Sequence, residues 1–216
     1  MEGENTDKEE ILKPFKLYGD HRSGNCYKVA LLLSLTSRPF EWVETDVMKQ
    51  STRTTDFLEM NPNGRVPLLQ LPDGRYLAES NAMLLHLAEG GPFLPTDAWE
   101  RALVYQWLFF EQYSHEPNFS VARFLVKFLG REVEEAQRLK VLRKLGSQAL
   151  GVMEKTLSSS SFFSGGRFSI ADIALYAYTH TAEEGGIDLS PFSAVRQWLQ
   201  RVESVSGFVS MTQACG

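Results

Sequence analysis

Hydrophobic positions change their spacing about ninety residues into the chain. Before that point they come in short clusters parted by turn formers: an apolar-aromatic burst at 15–18, a polar turn at 19–25, a dense apolar stretch of helical length at 27–35, and alternation at 40–43. This pattern predicts strand, loop, helix, strand. A short helix at 54–60 runs into the breakers Asn61, Pro62, Asn63 and Gly64, and a further strand follows at 66–71. Pro72, Asp73, Gly74 and Arg75 turn the chain back through a strand at 76–78, after which helical spacing resumes at 80–88. The first ninety residues thus predict βαβαββα. Two glycines and two prolines at 90–95 mark a linker. Beyond it the strand signal vanishes, and apolar residues at helical spacing predict helices over 99–128, 132–157, 169–181 and 191–202, with a serine-rich surface loop from 158. The expected organisation is a polar tail at 1–13, an α/β domain at 14–90, a linker at 91–97 and an all-helical domain at 98–216.

The composition narrows the function classes. With 216 residues, 43% of them hydrophobic, the chain has material for a large core. Its 22 basic residues against 27 acidic ones, a net charge of −5, are scattered, which argues against nucleic acid and anionic membranes as partners. The apolar runs are shorter than the roughly 20 residues a membrane helix needs. Cys26 and Cys215 stand near opposite ends, which suits neither a disulfide framework nor a metal cluster and fits a reducing, cytoplasmic setting. The acidic start, with no apolar stretch, does not read as a secretory leader.

Three local features carry candidate chemistry. The loop His21-Arg22-Ser23-Gly24-Asn25-Cys26 lies between the first strand and the first helix, so its polar groups face a helix N-terminus, where free N–H groups and the dipole stabilise an anion such as a thiolate. Ser23 or Asn25 can hydrogen-bond that thiolate and lower its pKa, or can simply cap the helix. Arg65-Val66-Pro67 opens a strand with a proline; a cis bond there would present the Val66 backbone to an extended peptide-like ligand, and a trans bond would merely begin the strand. Glu79-Ser80 stands at the start of a helix, where Ser80 can hold a carboxylate and Glu79 an ammonium group, with plain capping as the alternative.

In order and spacing these features resemble a cytosolic glutathione transferase over nearly the whole chain. The string Asn61-Pro62-Asn63-Gly64-Arg65-Val66-Pro67-Leu68-Leu69 followed by Glu79-Ser80 is the most specific part. Phe168-Ser169-Ile170-Ala171-Asp172-Ile173-Ala174 resembles the family's capping box and staple in the helical domain. The resemblance implies a thioredoxin-like N-terminal domain, an all-α C-terminal bundle, glutathione as cosubstrate, a homodimer, and a hydrophobic electrophile as second substrate. It is nearest to serine-type members: bacterial Nu-like, phi-like or theta-like.

Carried over by position, Ser23 would activate the thiol with Asn25 as second donor. Val66, beside Arg65 and Pro67, would bind the cysteinyl backbone, Glu79 and Ser80 the γ-glutamyl end, and Arg53 the glycine carboxylate. Tyr18 is disfavoured as the catalyst because it lies inside the first strand. Cys26 falls at the resolving position of a thioredoxin-type tetrad whose first cysteine is Ser23, and is expected to be structural. Tyr27, Tyr113, Pro117, Asn118 and Val121 are candidates for the pocket wall, and His115 is read as structural or pocket-lining rather than catalytic. A glutathione-dependent disulfide or peroxide reductase, or a non-catalytic glutathione-binding protein, remains open beside the transferase reading. An isomerase is disfavoured by the lack of a double-serine-cysteine loop.

Overall fold

The computed structural model describes residues 14–215, so the tail expected at 1–13 lies outside it. Strand β1 (Phe15–Gly19), helix α1 (Gly24–Leu35) and strand β2 (Phe40–Glu44) form a parallel crossover. Two 3-10 turns and α2 (Thr55–Met60) then lead to β3 (Leu68–Gln70), β4 (Tyr76–Ala78) and α3 (Ser80–Ala88). The sheet order is β2-β1-β3-β4, with β1 parallel to β2, and β3 antiparallel to both β1 and β4. The strand expected at 66–71 is shorter at both ends, because Val66 and Pro67 stay outside the ladder.

Helix α1 is buried on nearly every side from Cys26 to Leu33. It packs on α3 below the sheet and on α7 (Ile170–Thr179) and α9 (Met211–Ala214) of the helical half, and a helix apolar all round is the sequence that such a position demands. The helical half comprises α4 (Ala98–Phe110), α5 (Glu116–Arg123), α6 (Ala136–Leu157), α7 (Ile170–Thr179), α8 (Ser193–Glu203) and the short α9 (Met211–Ala214). Every residue of α7 is buried, so it is the axis around which the others pack.

The single helix expected over 99–128 is divided by two π-helical turns, Glu111–His115 and Phe124–Phe128. Pro117 sits in the first turn of α5, where its missing N–H costs no helical hydrogen bond, so the widened turn before it marks the division. The box at the start of α7 is formed: Ser169 caps the helix and Asp172 accepts from the Ser169 N–H at 2.9 Å. No described helix is long and apolar enough to cross a membrane.

Candidate functional site

A cleft of about 950 Å³ runs between the two halves. Its α/β wall starts at the β1–α1 turn. Asp20 is buried at the end of β1; its carboxylate takes Arg22 Nε and Nη2 at 2.8 and 2.6 Å and the Val47 N–H at 3.0 Å. Arg22 also reaches Asp46, at 2.5 Å. These contacts tie the β1–α1 turn to the loop after β2 and hold both Asp20 and Asp46 below the usual carboxylate pKa, Asp46 at about 2. Asp20, His21 and Glu44 place ligand atoms within 4.8 Å of one another, but Asp20 is already engaged by Arg22 and His21 by Glu44 at 2.8 Å.

Ser23 caps α1 and lines the cleft. Its Oγ accepts the Cys26 N–H at 3.3 Å, which leaves its own hydrogen free to be donated. Asn25 points elsewhere: its Nδ2 donates to Glu116 Oε1 at 3.0 Å and its Oδ1 accepts from Ser80 Oγ at 3.3 Å. It therefore braces the two halves behind the cleft, and its amide is not turned toward Ser23's open side. Cys26 is sealed; its Sγ accepts the Asp20 N–H at 3.4 Å, and burial pushes its thiol up to about 12, which keeps it unreactive at neutral pH.

Across the cleft floor, the Val66–Pro67 peptide is cis, and the Val66 N–H and C=O take no backbone partner among the described residues. Val66 and Arg65 line the cleft, and buried Pro67 anchors them. Arg53 lines it too, with Nη1 3.5 Å from the Asn63 carbonyl; Gly64, at φ +60°, gives that guanidinium room, since a Cβ there would lie 2.5 Å from Nη1. Neither Arg53 nor Arg65 pairs with a carboxylate among the described residues. Glu79 and Ser80 lie at the start of α3, outside the cleft lining. Glu79 is exposed at φ +69°, a conformation that non-glycine residues hold only where the surroundings impose it. Ser80 is buried and receives Lys28 Nζ at 3.5 Å.

Of the residues expected on the pocket wall, Val121 lines the cleft. Tyr27 does not: it is fully buried, and its hydroxyl donates to the Val209 carbonyl at 2.7 Å between α1 and the C-terminal segment. Tyr113 is 89% exposed on the first π turn, pointing to solvent. Pro117 also lies off the cleft, and Asn118 is buried with its amide on the Ser114 carbonyl at 2.8 Å. One cause covers Tyr113, Pro117 and Asn118: the π turn inserts a residue into the helical count and rotates the face that a uniform helix would present. His115 is buried, donates from Nε2 to Thr179 Oγ1 at 2.9 Å and stacks on Phe119; burial brings its pKa down to about 3, so it is neutral.

Sequence reasoning missed the remaining wall. Phe124, Leu125, Phe128 and Leu129, from the second π turn and its end, give the cleft an apolar side. Arg123, one residue earlier, donates through Nε to Glu184 and through Nη1 to the Arg22 carbonyl, both at 2.5 Å, clasping α5 to the β1–α1 turn. Tyr178, in the last turn of α7, leans over the start of α1. A Cβ on Gly24 would meet its ring carbons at 2.8 Å. Burial raises the Tyr178 pKa, so the phenol is protonated at neutral pH.

The lining includes six arginines, at 22, 53, 65, 123, 131 and 138, against Asp20, Glu116 and Glu135. In a chain of net charge −5 this local excess of cations favours an anionic ligand. The arrangement offers a hydroxyl donor at a helix N-terminus, an unpaired peptide edge opposite it, free guanidinium groups and an apolar wall.

Residues 22–89 match the model of the glutathione S-transferase N-terminal domain, and residues 105–205 that of the C-terminal domain. A crystal structure of a glutathione S-transferase from Pseudomonas fluorescens Pf-5 is similar at TM-score 0.91 and 50% identity, covering 92% of this chain and 99% of that one. A disulfide-bond oxidoreductase of Escherichia coli K12 is 30% identical over 195 residues, 83% of this chain and 86% of its own length. A glutathione transferase family member from P. fluorescens Pf-5, with two glutathione molecules bound, is similar at TM-score 0.82 and 27% identity, covering 94% of each chain. With both domain models matched in order and a clear thioredoxin-like half joined to a helical half, the chain belongs to the glutathione S-transferase family.

Proposed function

We propose that the protein binds glutathione along the α/β wall of the cleft and adds its thiolate to a hydrophobic electrophile. The observation that carries this reading is Ser23: a hydroxyl with a free hydrogen, at the N-terminus of α1, on the rim of an arginine-lined cleft. In this reading the tripeptide's cysteinyl backbone pairs with the N–H and C=O of Val66, as an added strand does. Arg53, with Arg65 nearby, holds the glycine carboxylate. Glu79 takes the γ-glutamyl ammonium, and Ser80 with the first N–H groups of α3 takes its carboxylate. The imposed backbone of Glu79 supports a ligand-holding role at that point.

The sulfur then lies at Ser23. Donation from Ser23 Oγ–H and the positive end of α1 stabilise the thiolate over the thiol; two units of acidification correspond to about 2.7 kcal/mol. The thiol proton leaves to solvent, the thiolate attacks the electrophilic carbon, and the leaving group departs with its electron pair. The apolar wall of Val121, Phe124, Leu125 and Phe128 supports a hydrophobic second substrate. The exposed aromatics Trp99, Phe109 and Tyr113 along α4 and its extension support a homodimer contact on that face.

The test compares conjugation of glutathione to a general aryl halide by the parent and by Ser23→Ala. Loss of one charge-assisted hydrogen bond predicts a fall in kcat/KM of about 10²-fold; unchanged turnover removes Ser23 from the mechanism. A second reading, a glutathione-dependent disulfide reductase, is favoured by the 30% identical oxidoreductase. There the same thiolate attacks a disulfide sulfur, expelling one thiolate, and a second glutathione attacks the mixed disulfide to leave oxidised glutathione. The sealed Cys26 has no part in either step. Turnover of a model disulfide exceeding that of the aryl halide would decide for it.

A further inference from the structure

Ser80 heads α3 with a hydroxyl whose two bonds have fixed directions. Lys28 Nζ, an ammonium with no lone pair, donates to Ser80 Oγ at 3.5 Å, and that oxygen in turn donates to Asn25 Oδ1 at 3.3 Å. The Asn25 amide cannot be turned the other way round, because its Nδ2 is spent on the Glu116 carboxylate at 3.0 Å. Lys28 is fully buried, an uncommon place for a lysine, and Glu111 of the helical half neutralises it there. Glu111 Oε1 stands 2.8 Å from Nζ yet has no aligned hydrogen bond, so the ammonium is aligned on Ser80 and not on its counter-ion. The other oxygen of Glu111 takes Asn81 Nδ2 at 3.0 Å, and the same amide donates to the Leu108 carbonyl at 3.1 Å, which pins the residue next to Ser80 as well. Apolar side chains of similar volume would fill this space at no greater cost in stability than a buried ion pair, so stability alone does not account for the pair.

We propose that Lys28 is a positioning residue for the γ-glutamyl carboxylate of the ligand: by donating to Ser80 Oγ from behind, it holds the hydroxyl in the orientation that gives its hydrogen away. In the free protein that hydrogen rests on Asn25 Oδ1. An anionic oxygen is the stronger acceptor, so the hydrogen passes to the ligand carboxylate when it arrives beside the first N–H groups of α3. Asn25 is half-buried, and its released oxygen turns to water. No covalent step is involved. The helical half takes part through Glu111, without which an ammonium could not be kept charged at that depth. The proposal rests on the reading of Ser80 given above.

The experiment measures, by calorimetry on the full-length protein, the affinity for two ligands: glutathione, and γ-aminobutyryl-cysteinyl-glycine, which is the same tripeptide without the γ-glutamyl carboxylate. The variant is Lys28→Met with Glu111→Leu, which removes donor and counter-ion together and strands no charge. It is expected to bind glutathione about tenfold more weakly than the parent does and to bind the truncated tripeptide as the parent does. In aryl halide conjugation the KM for glutathione should rise by the same factor while kcat at saturation changes little, because nothing near the sulfur is altered. In a Ser80→Ala background the same pair of changes should weaken binding no further. Should the first variant fail to fold, Lys28→Met with Glu111→Gln keeps an acceptor for Asn81 and carries the same comparison. An unchanged affinity for glutathione overturns the proposal, and so does an equal loss for both ligands or an equal loss with and without the Ser80 hydroxyl. If the parent binds the two tripeptides equally, the carboxylate is not held at Ser80 and the proposal falls together with the reading beneath it. That outcome is visible in the parent before any variant is compared.

Discussion

Asp172 and Glu111 are both sealed from solvent in the helical half, and the fold satisfies them in opposite ways. Asp172 spends both oxygens on donors from its own half: the Ser169 N–H and hydroxyl on one, the Phe163 N–H and Trp198 Nε1–H on the other. Glu111 is met from across the boundary. Lys28 of α1 brings its Nζ to 2.8 Å from Oε1, close but not aligned as a hydrogen bond, and Asn81 of α3 donates to Oε2 at 3.0 Å. Asn81 Oδ1, Glu111 Oε1 and His115 Nδ1 there have no hydrogen-bond partner among the described residues. One carboxylate closes a folding unit; the other couples two halves beneath Ser80, in a polar pocket that is only partly satisfied. Full satisfaction is what a staple requires, whereas a joint between halves is charged, expensive to break and incompletely paired.

The largest effect should follow from breaking the joint. Lys28→Met leaves Glu111 buried without its cation, and a cost of about 4 kcal/mol in unfolding free energy is expected. Urea denaturation measures it. The double variant Lys28→Met with Glu111→Leu should recover much of that loss, because the desolvation of both charges is removed together. A double variant as unstable as the single one would show that the pair's geometry, not its buried charge, carries the stability.

Breaking the staple should cost somewhat less. Asp172→Ala strands the Trp198 and Phe163 N–H groups in the core, for about 3 kcal/mol. Burial pushes the Asp172 pKa up to about 6, above its ordinary 3.8, so the folded state holds a proton that the unfolded state releases. That contribution to stability is complete below the unfolded pKa and disappears as pH rises through 6. Burial raises the Glu111 pKa as well, with the same sign, but Glu111 is present in parent and variant alike. The stability gap between parent and Asp172→Ala is therefore expected to narrow from pH 4 to pH 7; a gap independent of pH would refute the assignment.

The two carboxylates also mark what can be seen in a linear sequence. The Asp172 box is written within a few residues of itself, as are the Ser23 loop and the Asn61–Pro67 segment, and turn and capping chemistry act over such distances. The sheet and most helices followed from spacing for the same reason. Lys28 and Glu111 are 83 positions apart by number, and Tyr178 is farther still from the Gly24 it packs on; nothing near either end of such a contact names its partner. Tyr27 was expected at the pocket wall because it follows the Ser23 loop in sequence, whereas its side chain turns inward to the Val209 carbonyl, just before α9. Tyr113 and Asn118 were misplaced by a π turn, which spacing alone does not announce.

The smallest expected effect probes a close contact between the halves, Gly24 against α7, in contrast to the Glu111 pocket. A Cβ on Gly24 would lie 2.8 Å from the Ala177 carbonyl oxygen and from two carbons of the Tyr178 ring, and the carbonyl belongs to a buried helix that has little room to yield. Against that stands the better helix propensity of alanine, up to about 1 kcal/mol for an interior position and less in the first turn, where Gly24 sits. Overpacking costs about 1–3 kcal/mol, so it wins by a narrow margin, and Gly24→Ala is expected to lose about 1 kcal/mol in thermal or urea unfolding. The same displacement acts on the site as well as on the fold, because it shifts the start of α1, where Ser23 caps the helix and lines the cleft. A variant that melts as the parent does and binds glutathione with an unchanged thiol pKa would mean that α1 and α7 slide apart freely at this point, and the contrast between a tight joint at Gly24 and a loose one at Glu111 would be lost.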